Sequence, residues 1–344
     1  RGSAATVFEL DGQSAAGCDG FSGYFFKHCW DIIAQDVLQA VRKFMCGVPI
    51  PRGIASTLIL LLPKKEAPHS FADFRPISLC NFINKVFTKI LSNHLKVVLP
   101  TIISLEQSGF VSGRDIADNI LLAQELVNSI DKKARGHNVI FKLDMMKAFD
   151  RVSWDFLSRL LLQFGFHSHF VSLIMNNLTS AWFSILVNGR PHGFFQAKQG
   201  LKQGDPLSPF LFILVSEALS RGVNNLALQR KLQPFALGRH CPTVSHLAFA
   251  DDIVIFTRGD KRSVQSLMGF LELYQHGSGQ RVNKDKSFYI VSPKCPLAAK
   301  RLLARRTGFQ YRGLPFVYLG CKLVKGKRRM EHFQPLIDRI QAKL

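Results

Sequence analysis

The chain has 344 residues, of which 47% are hydrophobic and 20% are charged. This composition predicts a globular protein with a large core, arranged as one large domain with subdomains or as two modest domains. The 45 lysines and arginines exceed the 24 aspartates and glutamates, which gives a formal net charge of +21. Such a balance favours a polyanionic partner, most simply nucleic acid. An anionic membrane surface is the alternative, but no apolar run approaches the ~18 residues that a membrane-spanning helix needs.

The seven cysteines are scattered along the chain and include no Cys-x-x-Cys pair. This pattern predicts reduced thiols in an intracellular protein and argues against a zinc module. The sequence starts at Arg1 without a methionine or a signal peptide, and it stops within an amphipathic helical pattern over residues 333–340. We interpret it as a fragment of a longer polyprotein, so its location in the cell cannot be taken from its ends.

Hydrophobic periodicity predicts helices and strands that alternate along the chain. The predicted helices cover residues 22–45, 84–99, 116–130, 153–164, 208–225, 262–275 and 333–340. The predicted strands cover residues 57–62, 139–144, 181–188 and 286–291, together with a hairpin over 246–256. Pro100 is expected to close the second helix, Ser153 and Ser208 are expected N-caps, and Asn188-Gly189 is an expected hairpin turn. This alternation indicates an α/β or α+β fold with non-local strand pairing.

The hairpin over residues 246–256 places two adjacent aspartates, Asp251 and Asp252, at or beside the turn between two apolar arms. An ordinary Asp-rich turn is one interpretation. The other interpretation is a metal site, because two like charges in apolar surroundings are costly and a bound divalent cation removes that cost. Asp144 ends the apolar strand 139–144, and a shared sheet would bring it to the same edge. Carboxylates grouped in this way suit two-metal phosphoryl transfer, in which two Mg²⁺ ions lie ~3.5–4 Å apart.

Several other residues have a functional and a purely structural interpretation. Thirteen lysines and arginines lie between residues 294 and 343, where they either contact phosphates or form a solvated face. Asp150 lies six positions after Asp144, past the strand end, and is interpreted as structural. Asp205 is expected to make a local hydrogen bond in a turn, and His246 is interpreted as non-functional.

Seven short motifs are distributed along the chain, from residue 17 to residue 320. They are Gly17-Cys18-Asp19-Gly20-Phe21, Phe74-Arg75-Pro76-Ile77-Ser78-Leu79, Ser108-Gly109-Phe110, Leu143-Asp144…Ala148-Phe149-Asp150, Gln203-Gly204-Asp205-Pro206-Leu207-Ser208-Pro209, Phe249-Ala250-Asp251-Asp252 and Tyr318-Leu319-Gly320. The ordered set covers nearly the whole chain and resembles the reverse transcriptase domain of LINE-type (non-LTR) retrotransposons, especially those of plants. Cys18 departs from the pattern, because family members usually have proline there.

The resemblance implies an α+β, right-hand polymerase fold with fingers, a palm and the start of a thumb. The implied segments are an N-terminal fingers extension over 1–55, the fingers and palm over 56–324 and a truncated thumb over 325–344. It also implies that Asp144 and Asp251 are metal ligands and that Asp252 is the third acidic residue of the site. The expected cofactor is a pair of Mg²⁺ ions, with Mn²⁺ as a substitute.

Carried onto this sequence, the resemblance also implies roles in substrate binding. Phe149 would be the steric gate under the sugar, and Gln203 and Gly204 would shape the nucleotide pocket. Arg75 and Lys64 would contact the triphosphate, and Lys286 would lie near the leaving pyrophosphate. The primer grip would be formed by Tyr318, Leu319 and Gly320. Lys65 is an alternative to Lys64, and Lys284 is an alternative to Lys286.

The resulting expectation is an RNA-directed DNA polymerase that joins a dNTP to the 3′-hydroxyl of a DNA primer on an RNA template. The resemblance implies that the primer is a nicked chromosomal end, that the reaction takes place in the nucleus and that no membrane is a partner. No endonuclease domain precedes the fragment and no Cys/His module follows it, so these are expected as missing regions of the parent polyprotein.

Two alternatives remain at this point. One is a catalytically inactive, nucleic-acid-binding remnant of such an element, and the other is an RNA-folding protein of the intron-maturase type. The presence of Asp144, Asp251 and Asp252 favours a competent parent enzyme over the remnant. The form of the motifs at residues 203–206 and 249–252 favours the LINE-type protein over the maturase.

Overall fold

The computed structural model describes residues 3–238, 241–327 and 329–342. The helices are α1 (Ser3–Glu9), α2 (Gly23–His28), α3 (Trp30–Met45), α4 (Arg52–Ala55), α5 (Phe82–Ile102), α6 (Ile116–Asn128), α7 (Trp154–Gln163), α8 (Ser168–Thr179), α9 (Ser208–Leu228), α10 (Lys261–Ser278), α11 (Leu297–Thr307) and α12 (Gln334–Gln341). The strands are β1 (Ser56–Pro63), β2 (Phe74–Cys80), β3 (Asn138–Leu143), β4 (Trp182–Val187), β5 (Arg190–Gln196), β6 (His246–Phe249), β7 (Asp252–Arg258), β8 (Phe288–Val291), β9 (Gln310–Tyr311), β10 (Phe316–Tyr318) and β11 (Cys321–Leu323).

The chain forms two compact units, and each is discontinuous in sequence. The first unit comprises Arg1–Ile102 and Phe149–Val215, and the second comprises Ile103–Ala148 and Ser216–Leu344. The predicted boundaries after residues 55 and 324 concern fingers, palm and thumb, and they stay a prediction. Two of the late basic residues, Arg328 and Lys343, lie outside the described residues.

The first unit contains a four-stranded sheet with the strand order β2-β1-β4-β5. Strand β1 pairs antiparallel with β2 and parallel with β4, and β4 pairs antiparallel with β5. The turn between β4 and β5 is Asn188-Gly189, with φ angles of 50° and 76°. Positive φ at both central residues is the type I′ geometry that suits a hairpin, so the predicted turn is confirmed.

The second unit contains a five-stranded sheet with the order β6-β7-β3-β8-β9, and β3 lies at its centre. Strand β3 pairs antiparallel with β7, in the register Asn138↔Arg258, and also with β8. Five of its six residues are buried, because the strand is covered on both faces. The predicted pairing between distant aspartate-bearing strands is therefore confirmed.

The observed elements differ from the predicted ones at several boundaries. Residues 22–45 form two helices rather than one, with a break at Cys29. Helix α5 continues through Pro100 and ends two residues later, because a proline so near the end removes only one hydrogen bond of the last turn. Ser208 is the first residue of α9 rather than its cap, and the Asp205 carboxylate accepts the backbone N–H of Leu207 just before it.

In the described parts of the chain, no helix combines the length and the apolar character needed to cross a membrane.

Candidate active site

The aspartate hairpin forms as predicted, with β6 and β7 joined by Ala250 and Asp251. Phe249 pairs with Asp252 across the turn, which leaves the two residues between them at its tip. Ala250 has a φ angle of 54°, a left-handed conformation that is uncommon for a residue with a side chain. Asp251 is therefore carried on a turn whose backbone is constrained by its surroundings.

Strand β3 brings Asp144 to the same edge of the sheet. The last paired residues of β3 and β7 are Leu143 and Ile253, so the same register continued by one residue places Asp144 opposite Asp252. Residues opposite each other in an antiparallel pair lie on one face. The backbone N–H of Asp144 also donates to Ser287 Oγ at 3.0 Å, which fixes the strand end. The three aspartates predicted as the acidic group thus lie at one edge of one sheet.

The electrostatic environment of Asp251 reflects this grouping. Burial raises the pKa of the Asp251 carboxyl, and the negative charges of Asp252 and Asp144 raise it further, while a backbone N–H and the ammonium of Lys142 act in the opposite direction. A bound cation would relieve the same repulsion. The donor set consists of carboxylate oxygens, which are the ligands that Mg²⁺ and Mn²⁺ prefer.

Asp252 has a protein partner in this structure. Its carboxylate forms an ion pair with Lys142, whose side chain is only 12% exposed and lies on the same face of the sheet. The Lys142 ammonium also lies 5.8 Å from the centre of the Tyr318 ring. Within residues 3–238, 241–327 and 329–342, no three His, Cys, Asp or Glu side chains are grouped closely enough to hold a metal ion together. The carboxylates of Asp144 and Asp251 have the chemistry of a divalent-cation site, and Asp252 is held by Lys142.

The loop that carries Lys286 is tied to Asp144. At one end of the loop, the N–H of Asn283 donates to the carbonyl of Asp144 at 2.8 Å. At the other end, the hydroxyl of Ser287 accepts the N–H of Asp144. Lys286 itself is exposed. The stem of Lys284 instead lies against Gly308 at the C-terminal end of α11, where a cation is stabilised by the helix dipole. Lys284 therefore packs against the end of α11, and the role of Lys286 stays a prediction.

The Tyr318 side chain of the predicted primer grip is fully buried. Its hydroxyl lies 3.4 Å from the Nδ2 of Asn119, which also donates to the carbonyl of Ala248 in β6. Leu319 and Gly320 form the turn between β10 and β11, with φ angles of 50° and 80°. The tyrosine therefore supports the aspartate hairpin, and only the turn that follows it is available for contact with a ligand.

In the first unit, three of the predicted nucleotide residues belong to one connected group. Gln203 donates from its Nε2 to Asp150 at 2.9 Å, and its carbonyl accepts the N–H of Ser78 in β2. Gly204 follows with a φ angle of 107°, and a side chain there would meet the Ser78 carbonyl at 3.2 Å. Phe149 is half-buried and stacks on Phe212 at 4.8 Å. The contact with Gln203 accounts for Asp150 as a structural residue.

Gln203 and Asp150 also line a cavity of about 190 Å³ within the first unit. The other lining residues include Trp154, whose indole N–H donates to the Gly200 carbonyl at 2.7 Å. The cavity is bounded by apolar side chains with a few polar groups, which is the usual composition of a small-molecule pocket.

The two predicted triphosphate contacts lie on the β1–β2 hairpin of the same unit. Arg75 is exposed on β2, opposite Leu62 of β1. The Lys64 ammonium donates to the carbonyl of Ala72 at 2.9 Å, and Lys65 pairs with Asp73 at 3.0 Å. Both lysines therefore have partners in this structure, whereas the guanidinium of Arg75 is presented to solvent.

Sequence reasoning missed Lys142, Asn119 and Gln107, which surround the aspartates in the second unit. Lys142 has a sequence signal, because it lies two residues before Asp144 and must share its face of a strand. Asn119 and Gln107 have a weaker one, since each is a polar residue within an apolar pattern. Their role depends on contacts across 129 and 143 residues of sequence.

The sequence profile of the family described as "Reverse transcriptase (RNA-dependent DNA polymerase)" matches residues 62–323. The chain belongs to this family. The resemblance to retrotransposon reverse transcriptases is confirmed by its relatives. The chain is 29% identical over 276 residues to the "Transposon TX1 uncharacterized 149 kDa protein" of Xenopus laevis, which covers 80% of this chain and 20% of that protein. It is 28% identical over 283 residues to the Pol polyprotein of the retrotransposable element R2DM of Drosophila melanogaster, covering 81% and 25%.

A solved structure supports the predicted fold of the reverse transcriptase chain. Telomerase from Candida albicans, determined with a fragment of telomeric RNA, superimposes with a TM-score of 0.54 at 14% identity. The match covers 89% of this chain and 49% of the telomerase chain. The predicted α+β, right-hand polymerase class is therefore confirmed. The match to the TX1 and R2DM proteins covers only a fifth to a quarter of the length of these two relatives.

Proposed function

We propose that this chain is an RNA-directed DNA polymerase, which joins a dNTP to the 3′-hydroxyl of a primer on an RNA template and releases pyrophosphate. The observation that carries the proposal is the meeting of Asp144 and Asp251 at one sheet edge in a chain of the reverse transcriptase family. Nucleotidyl transfer needs divalent cations at the point where negative charge develops on the phosphate, and carboxylate oxygens are the ligands that hold such cations.

Asp144 and Asp251 would hold two Mg²⁺ ions, or Mn²⁺ in their place, with Asp252 as the third acidic residue. When bound, the ions supply a lowered pKa for the attacking hydroxyl and neutralise the leaving pyrophosphate. Burial raises the pKa of Asp251 and the charges of Asp252 and Asp144 raise it further, and a bound cation would offset the repulsion between these carboxylates. The Lys142–Asp252 pair orients the second acidic residue of the hairpin.

The residues that bind the substrates are assigned in the same proposal. On the side of the nucleotide, Phe149 excludes a 2′-hydroxyl, Gln203 and Gly204 shape the base pocket, Arg75 and Lys64 contact the triphosphate, and Lys286 contacts the pyrophosphate. On the side of the primer, the turn at Leu319 and Gly320 contacts the backbone, and the buried ring of Tyr318 supports it.

The proposed partners are an RNA template, a DNA primer and dNTP, with no membrane. The relatives are proteins of transposable elements, and the match covers only 20% and 25% of their lengths. We therefore propose that the parent polyprotein adds an endonuclease and C-terminal regions, and that it works on chromosomal DNA in the nucleus.

Primer extension on poly(rA)/oligo(dT) with Mg²⁺ tests the proposal. We expect the chain to extend the primer and Asp251→Ala to abolish extension, because the variant loses a metal ligand. Asp118→Ala is the matched control, since this exposed carboxylate lies on α6 of the same unit. If no variant extends but all bind primer–template, the chain is the nucleic-acid-binding remnant. If Asp251→Ala extends normally, the assignment of the metal ligands is wrong.

A further inference from the structure

A loop that the proposed mechanism does not use runs beside the aspartate hairpin. Gln107 lies in this loop and is fully buried. Its Oε1 accepts the backbone N–H groups of Gly109 and Ala250, each at 2.9 Å, and its Nε2 donates to the carbonyl of Ala250 at 3.4 Å. One side-chain amide thus satisfies both backbone polar groups of the residue before Asp251.

Ala250 needs such a partner more than most residues do. Its φ angle of 54° is disfavoured for any residue with a side chain, and such conformations persist only where the surroundings impose them. A pair of buried backbone groups left without partners would add to that cost. The amide of Gln107 therefore holds the turn in the conformation that presents Asp251.

The backbone around Gln107 is built to approach the turn closely. Ser108 donates its N–H to the carbonyl of Ala248 at 3.0 Å, and Ala248 donates to the carbonyl of Glu106 at 2.8 Å, so Gln107 and Ala248 form a parallel β-bridge. A side chain at Gly109 would lie 2.6 Å from the nitrogen of Ala250. Only glycine permits this distance.

The loop is itself anchored from its other side. The guanidinium of Arg114 donates to the carbonyls of Ile103, Ser104 and Gln107. The fully buried carboxylate of Glu217 accepts both the N–H and the hydroxyl of Ser104. Gln107 therefore projects from a fixed backbone, which a residue that imposes a strained turn requires.

We propose that Gln107 is the positioning residue of Asp251: its amide fixes the left-handed turn at Ala250 and so orients the carboxylate for a divalent cation. The inference that Gln107 affects catalysis rests on the proposed function, whereas the inference that it fixes the turn at Ala250 does not. Residues that orient a metal ligand without touching the metal contribute 10- to 100-fold to metal affinity or activity.

Gln107→Met is the direct test, because methionine keeps the volume of the side chain and removes its hydrogen bonds. Asn138→Leu is a matched control. Asn138 is also a fully buried amide, and it serves both the N–H and the carbonyl of Ala236, at 2.8 Å and 3.0 Å. It lies at the opposite end of β3 from Asp144. Both variants lose one buried amide of the same unit, so both are expected to lose similar thermal stability.

Two readouts independent of turnover decide the inference. The first is amide hydrogen exchange over residues 248–252, and the second is binding of Mn²⁺ alone, followed by electron paramagnetic resonance with Asp251→Ala as the reference for loss of the site. We expect Gln107→Met to increase exchange in this peptide and to weaken Mn²⁺ binding by about 10- to 100-fold. We expect Asn138→Leu to change neither.

Gln107→Asn supplies a second variant if Gln107→Met does not fold, since it stays polar but is one methylene too short to reach Ala250. Wild-type exchange and wild-type Mn²⁺ affinity in either folded variant would overturn the inference, as would a wild-type chain that binds no Mn²⁺. A wild type that binds Mn²⁺ but extends no primer would contradict the proposed function, while the exchange and binding data would still decide the role of Gln107.

Discussion

His246 shows how much a single buried residue contributes to the second unit. It begins β6, its imidazole is fully buried, and its Nδ1 lies 2.9 Å from the hydroxyl of Ser245. Its Nε2 has no hydrogen-bond partner among the described residues. Burial lowers the pKa of His246 to about 4 from its ordinary value of 6.5, although the negative charge of Glu106 acts in the opposite direction.

The lowered pKa predicts a stability that falls on acidification. Below pH 6.5 the unfolded chain binds a proton at His246 that the folded chain accepts only near pH 4, so the contribution of His246 to the free energy of unfolding decreases through this window and is constant below it. Between pH 8 and pH 5 the loss is about 2 kcal/mol. Denaturant unfolding at several pH values should show this loss in the wild type but not in His246→Phe. The exposed His28, changed to Gln, serves as the control, and an unchanged pH dependence in His246→Phe would refute the assignment.

At this scale, sequence reasoning identified the residues whose chemistry is visible without a partner. Asp251 and Asp252 could be predicted, because adjacent carboxylates in an apolar hairpin need an explanation. Lys142 and Gln107 were missed, because spacing gives the face on which Lys142 lies but not its partner, and Gln107 acts through a contact across 143 residues.

Among the elements, the loop over residues 10–22 and the start of α5 show how the first unit is held together. Asn81, just before α5, accepts the N–H of Asp19 at 3.3 Å and donates to the carbonyl of Gly53 at 2.7 Å. Lys85 of α5 donates to the carbonyl of Ala15 at 2.9 Å. Gly17 lies so close to Asn81 that an added Cβ would be 2.7 Å from its Cα.

This close approach predicts different effects for two glycine substitutions. Gly17→Ala should lower the free energy of unfolding by about 1–3 kcal/mol, because the loop must move away from the backbone of Asn81. Gly53→Ala should change it by less or raise it by about 0.4–1 kcal/mol, since nothing lies within 4 Å of an added Cβ there. Both glycines lie beside Asn81 at negative φ, so a comparison of the two variants by chemical denaturation isolates the effect of the room available for the added Cβ. Equal changes would contradict the role of Gly17.

Sequence periodicity predicted the buried strands with long apolar runs, but it missed the seven-residue strands β2 and β5 and the helices α8 and α11. Strand β3 and the β6–β7 hairpin were found because apolar runs of this length are unmistakable. Strands β9, β10 and β11 have only two or three residues each, which is too short for an alternating pattern. Their position is set by pairing with β8 and with each other rather than by their own composition.

For the whole molecule, the distribution of charge is as informative as its sum. Residues 286–330 contain twelve lysines and arginines and no aspartate or glutamate. Several of them lie on α11, where Arg301 and Arg305 are four residues apart and exposed. A surface of this kind attracts a phosphate backbone over the whole range of the Debye length.

The charge predicts how nucleic-acid binding depends on salt. The logarithm of the affinity for primer–template should fall linearly with the logarithm of the salt concentration, by about 0.9 for each phosphate contacted on a duplex. Arg301→Gln/Arg305→Gln should reduce the slope by about 2. Arg42→Gln/Lys43→Gln, an exposed pair on α3, is the control of equal charge. A slope unaffected by the α11 pair would mean that these arginines form a merely solvated face.

The interleaving of the two units along the chain has a consequence for how the protein is made. A ribosome completes β3 at Leu143 but reaches its partner β7 only at Arg258, 115 residues later. At 5–20 residues per second, the apolar strand waits for about 6–23 seconds without its neighbours, while the first unit is finished in the interval. An unpaired apolar strand is a template for aggregation during that time. The growing chain is therefore most in need of chaperones between the synthesis of residues 143 and 258.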